Sequence, residues 1–90
     1  MGININIPSY MQHLTNNSKI VEVSGGIVGD CLSHLVRQFP GVKEMLFSEN
    51  GKLLDSVAIY VNGKLAYQEE LRKPVKDGDK LDILHIVGGG

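Results

Sequence analysis

Ninety residues, with 42% hydrophobic and 21% charged side chains, are enough for one globular domain with a single core. A formal net charge of −1, with three Tyr, two Phe and no Trp, leaves neither the basic stripe nor the stacking platforms of a nucleic-acid binder. One cysteine, Cys31, excludes an internal disulfide and a Cys-based zinc site, and no apolar run approaches a membrane span. The N-terminus has no basic region or signal core, so the domain is expected in a reducing cytoplasm.

Ile3, Ile5 and Ile7 alternate with Asn4 and Asn6, which predicts a half-buried strand ended by Pro8-Ser9. Tyr10 to Ser18 reads as a polar connection with a turn signal at Asn16-Asn17-Ser18. Lys19 to Val23 forms the second strand of a hairpin. Ser24-Gly25-Gly26 then breaks the pattern. Val28, Leu32, Leu35, Val36 and Phe39 follow at helical spacing, with Asp30 in the first turn and Arg37 in the last. Pro40-Gly41 stops this helix, and Val42 to Phe47 forms one more short turn.

Ser56 to Val61 alternates again, with Val57, Ile59 and Val61 on one face and Ala58 and Tyr60 on the other. Asn62-Gly63 is a strong hairpin signal, because both residues tolerate the positive φ of a type I′ turn. Lys64 to Tyr67 returns as a short strand. Gln68 to Lys76 is charged and irregular, with Leu71 as an anchor and Pro74 as a breaker. Asp77-Gly78-Asp79 is a tight turn. Lys80 to Ile86 is the last strand, apolar at both parities, which predicts a central strand covered on both faces. The order ββαββ plus a final strand is an α+β architecture.

The chain finishes on Val87-Gly88-Gly89-Gly90. Three glycines add nothing to a core and cost the most entropy to order. They make a thin thread, and its four extended residues reach about 13 Å. A Gly90 carboxylate on such a thread can enter a slot in another protein. The alternative reading is a frayed, inert end. The expected organisation is a domain over residues 1–87 and a flexible tail over residues 88–90.

The layout resembles the ubiquitin-like β-grasp fold, a mixed five-stranded sheet packed on one main helix. More narrowly it resembles the MoaD/ThiS-type sulfur-carrier family. The resemblance rests on Ile27-Val28-Gly29-Asp30 at the helix opening, Ile59-Tyr60-Val61-Asn62-Gly63 at the hairpin, Val75-Lys76-Asp77-Gly78-Asp79 at the turn, and Gly89-Gly90. Gly88 stands where relatives carry Ala or Ser, and His85 where many carry proline. The opening Ile7-Pro8-Ser9 and the segment Asn50-Gly51-Lys52-Leu53 are closer to the CysO-like branch.

The resemblance implies a carrier, itself a co-substrate and not an enzyme. A ubiquitin-activating-enzyme-like adenylyltransferase of the MoeB/ThiF type would spend ATP to adenylate Gly90. A sulfur donor would then displace AMP to leave a thiocarboxylate. The accepting synthase would be MoaE-like, for molybdopterin or tungstopterin, or cysteine-synthase-like. No cofactor is expected on the chain itself. Gly25-Gly26-Ile27-Val28-Gly29-Asp30 lacks the Lys-Ser/Thr of a phosphate loop, so its glycines read as breaking the strand and starting the helix. Cys31 reads as packing, and His13, His34 and His85 are too scattered for a metal.

Partner binding is expected at Tyr60, Leu84, Ile86 and Val87, with Gly88 and Gly89 threading the tail. One helix covers one sheet face. Leu84 and Ile86 therefore lie away from it, joined by Ala58 and Tyr67 in an apolar patch or else packed under the 68–76 segment. Two other functions remain open from sequence: a modifier conjugated through Gly90 to lysines, and an inert interaction module.

Overall fold

The computed structural model describes residues 2–66 and 69–86. Five strands form one mixed sheet: β1 (Ile3–Asn6), β2 (Ile20–Val23), β3 (Val57–Val61), β4 (Lys64–Leu65) and β5 (Lys80–His85), in the order β2-β1-β5-β3-β4. The first and last strands are neighbours and parallel at the centre, with Ile5 opposite Leu81, and every other pairing is antiparallel. The main helix, α1 (Val28–Gln38), lies on one face, and a shorter helix, α2 (Lys43–Leu46), follows it. This is the β-grasp architecture that the motif order implied.

The alternation in sequence translates directly into burial. Ile3 and Ile5 are fully buried, and Asn4 is exposed. Val21, Val23, Val57, Ile59, Leu81 and Ile83 complete the sheet's inner face. The helix presses Val28, Cys31, Leu32 and Leu35 onto it. Burying each large aliphatic side chain contributes about 1.5–3 kcal/mol, so this seam is the main source of stability. Burial, with the fields of Asp30 and Asp79 adding to it, pushes the Cys31 thiol up to about 11. At neutral pH it is a protonated packing group.

The connection over residues 9–18 is more ordered than its polarity suggested. Ser9–Leu14 forms a 3-10 helix that buries Met11 completely. The buried Thr15 hydroxyl lies 3.3 Å and 3.0 Å from the carbonyl oxygens of Gln12 and Ser18. Asn16 and Asn17 turn the chain at φ 53° and 62°. The single methionine among polar neighbours was too sparse a pattern to mark this plug.

Segment 69–76 also has a definite place. Glu70–Arg72 is a 3-10 helix, the Val28 amide donates to the Lys73 carbonyl at 2.9 Å, and the Val75 amide donates to the Gly26 carbonyl at 3.0 Å. The segment therefore lies across the start of α1. Here Gly29 does more than begin a helix. A Cβ on Gly29 would lie 2.9 Å from the Leu71 carbonyl oxygen, so the glycine permits close backbone approach. Gly29→Ala is expected to lower stability by about 1–2 kcal/mol, overpacking exceeding the helix-propensity gain. Gly26→Ala, with nothing within 4 Å of its added carbon, is the matched control in the same denaturant titration.

The two tight turns at one end of the sheet are locked together. Asn62 and Gly63 take φ 52° and 83°, the positive pair that a type I′ turn requires. The Asn62 amide donates to Asp79 Oδ1 at 3.0 Å, and the Lys76 backbone N–H donates to Asp79 Oδ2 at 2.9 Å. The Lys80 N–H returns a bond to Asn62 Oδ1 at 2.9 Å. The Asn62 bond first, then the Lys76 N–H and the Lys76 charge, hold the Asp79 carboxyl below its ordinary 3.8 against a smaller opposing effect of burial. The native state thus favours the carboxylate. That contribution is complete above the ordinary value and is lost as pH falls through the lower native one. Thermal melts across acid pH should show this loss in the parent chain, and Asp79→Asn should lack it while starting less stable at neutral pH.

Candidate functional site

Strand β5 carries the chain toward its glycines from the middle of the sheet. It pairs with β1 on one side and β3 on the other, with Val57 opposite His85 and Ala58 opposite Leu84. The pairing continues one residue further, because the Ile86 N–H donates to the Ser56 carbonyl at 2.6 Å. The backbone direction at Ile86 is therefore held by main-chain hydrogen bonds on a rigid element. Val87, Gly88, Gly89 and Gly90, read from sequence as contact and threading residues, lie outside the described residues.

An aromatic contact flanks this point. The Tyr10 and His85 rings meet edge-on with centroids 5.6 Å apart. Burial raises the Tyr10 phenol above its ordinary value, so at neutral pH it is an uncharged hydroxyl. The 3-10 helix that looked like a connection thus brings Tyr10 beside the last strand. Neither residue is close to the other in sequence, so no local pattern predicted the pair.

The outer sheet face divides into two halves. Toward β1 it is polar apart from Ile20, 56% exposed opposite Asn6, and the Asn6 amide donates to Asp82 Oδ1 at 2.7 Å. Toward β3 and β4 it is apolar. Leu84 is 46% exposed, Ile86 50% and Leu65 48%, and Tyr60 opposite Leu65 is half-buried. Solvent-facing apolar side chains clustered this way mark an interaction surface.

Two expectations need correction. Strand β5 is central in pairing but covered on one face only: Leu81 and Ile83 are buried, whereas Leu84 is not. Its double apolar parity reflects a core face and an open face. Ala58 is 4% exposed and so offers the patch almost no surface, since a methyl group between larger neighbours is shaded by them. The alternative cover for Leu84 and Ile86 is also absent, because residues 69–76 are engaged at the start of α1. Tyr67 lies outside the described residues.

Among the described residues, no group of three His, Cys, Asp or Glu side chains is placed to hold a metal. No described helix is long and apolar enough to cross a membrane. Asp30 Oδ2 accepts from the Gly26 N–H at 3.3 Å, tying the glycine-rich bend to the helix it precedes.

The chain matches the ThiS family over residues 5–90. It is 34% identical to the sulfur carrier protein CysO of Mycobacterium tuberculosis, with all of both chains covered. It is also 34% identical to small archaeal modifier protein 1 of Haloferax volcanii, over 78% of each chain. Among solved structures it is similar to that of the Amycolatopsis orientalis BexX/CysO complex, with a TM-score of 0.88 and 32% identity over 99% of this chain and 100% of that one.

Proposed function

This chain belongs to the ThiS family, and from that membership we propose that it is a sulfur carrier whose working group is the Gly90 carboxylate. The observation that carries the reading is the course of β5, which leads from the sheet centre to Ile86 under backbone control, four residues before Gly90 in the sequence. The full-length likeness to CysO supports it.

The chemistry follows from the carboxylate. Its charge and resonance make it a poor electrophile, so it is activated first. A ThiF/MoeB-type adenylyltransferase binds the ATP. The Gly90 carboxylate attacks the α-phosphate and pyrophosphate leaves. A sulfur donor then attacks the acyl carbon and AMP leaves, giving the thiocarboxylate. The carrier supplies no catalytic side chain to these steps, and Cys31, buried and protonated, takes no part. What the carrier supplies is placement of the tail, which converts a bimolecular encounter into a positioned reaction. The likeness to CysO favours an activated serine as the sulfur acceptor, in a cysteine-synthase-like enzyme, over a MoaE-like molybdopterin synthase.

Leu84, Ile86 and Tyr60 form the docking surface on the tail side of the open face. The A. orientalis CysO is itself seen in complex with a second protein, which supports recognition through a protein interface. A second reading has one specific observation in its favour, the likeness to an archaeal modifier protein. It uses the same Gly90 adenylate but ends in an isopeptide bond to a lysine.

The test is ATP–pyrophosphate exchange with the organism's ThiF-type enzyme, followed by addition of sulfide. Carrier-dependent exchange and a thiocarboxylate product support the proposal. Exchange that yields only lysine conjugates supports the modifier reading, and no exchange leaves an inert module.

A further inference from the structure

We propose that the cleft between the β3–β4 hairpin and residues 73–76 is a second docking site, for an acidic segment of a partner protein. The cleft has a volume of about 410 Å³ and is lined by Lys64, Lys73 and Lys76, with Leu65 and Pro74 as apolar footing. It lies at the Lys80 end of β5. The tail leaves from the other end, about 20 Å away at the rise of an extended strand.

The walls are rigid. One is the hairpin closed by Asn62-Gly63. The other is held on α1 by the Val28-to-Lys73 and Val75-to-Gly26 hydrogen bonds. The Asn62–Asp79–Lys80 network joins the two. A site built on fixed elements spends little ordering entropy when it is filled.

The charge is unbalanced. Among the described residues the cleft's one carboxylate, Asp79, already accepts from Asn62 on Oδ1 and from the Lys76 N–H on Oδ2. Lys76 Nζ lies 3.9 Å from Asp79 Oδ1, but its side chain is 86% exposed, so water screens the pair. Among the described residues neither Lys64 nor Lys73 has a carboxylate partner. Three lysines therefore line one small cleft on a chain of net charge −1.

The chemistry of the occupant follows from which donors are free. A phosphate cradle needs converging backbone N–H groups. Here the Lys76, Lys80 and Asn62 N–H groups are already spent on Asp79, Asn62 and the Lys80 carbonyl. What remains are lysine point charges on long stems, spread along the cleft beside exposed Leu65. That pattern fits carboxylates spaced along an extended peptide, with an apolar residue seated on Leu65. Among the described residues no aromatic ring lines the cleft to stack a base. An occupied cleft leaves the tail and the Leu84 face free. An acidic segment there would steer a tail-acting enzyme and raise its effective concentration at the tail.

Binding at the cleft does not depend on tail chemistry and is tested without it. The full chain, labelled with nitrogen-15, is titrated at low salt with a synthetic Glu- and Asp-rich peptide carrying one central leucine. Expected are saturating amide shifts at residues 62–66 and 73–76, with a dissociation constant below about 1 mM. Binding should weaken about tenfold or more in Lys64→Glu/Lys73→Glu and to a smaller extent in Lys64→Gln/Lys73→Gln, both with parent-like dispersed spectra. The same peptide with its acids replaced by Gln and Asn should not saturate. Absent saturation, equal binding of the neutral peptide, shifts confined to the Leu84 face, or displacement of the peptide by equimolar inorganic phosphate or ATP would each overturn the proposal.

Discussion

Gly90→Ala is expected to fold as the parent chain does and to be adenylated at least about a hundredfold less efficiently. The substitution changes none of the core residues, which run from Ile3 to Ile83. Thermal midpoints of the two proteins should coincide. The reacting carboxylate is bonded to the substituted carbon. On the proposed threading of the tail, a side chain there would have to fit a slot shaped for glycine, and displacing a reacting atom by about 1 Å costs about a hundredfold in rate. ATP–pyrophosphate exchange measures the effect. Parent-like exchange by Gly90→Ala would remove the tail from the chemistry.

Leu84→Asp should separate binding from folding. Leu84 is 46% exposed on the outer face, so losing its partial burial costs about 1 kcal/mol and a few degrees of thermal midpoint. In an interface, an apolar side chain central to the patch is worth about 2 kcal/mol or more, close to thirtyfold in affinity. The new carboxylate also shares its face with Asp82, two residues earlier on the same strand, which adds like-charge repulsion. Ile83→Asp is the contrasting variant. Ile83 is 2% exposed and points into the core, so the same substitution one residue away should unfold the domain. Titration calorimetry with the activating enzyme, beside thermal melts, reads both effects. Global unfolding of Leu84→Asp would mean that Leu84 is a packing residue.

What could be read from sequence was what repeats locally. Ile3, Ile5 and Ile7, the Val28–Leu32–Leu35 stripe and Asn62-Gly63 each have a period or turn chemistry contained in a few residues. They suffice for the strands, the helix and their order. What could not be read depends on partners distant in the chain. Asp79 meets Asn62 across 17 positions, and Tyr10 meets His85 across most of the chain. Gly29 looked like a helix opener because nothing local announces Leu71 above it. The double apolar parity of β5 has two physical solutions, cover on both faces or one open face. Only the placement of residues 69–76 on α1 chooses between them. The open face is the one proposed to dock a partner, so that surface was legible as a composition while its exposure was not.

The central claim is that Gly90 carries sulfur. The most direct measurement is the intact mass of the protein isolated from its native cells, with and without prior alkylation of thiocarboxylates. The account predicts a population heavier by the exchange of one oxygen for sulfur. That population should be sensitive to alkylation, located at Gly90 by fragmentation, and absent in Gly90→Ala. A single unmodified mass in cells that contain an active ThiF-type enzyme and sulfide would contradict it.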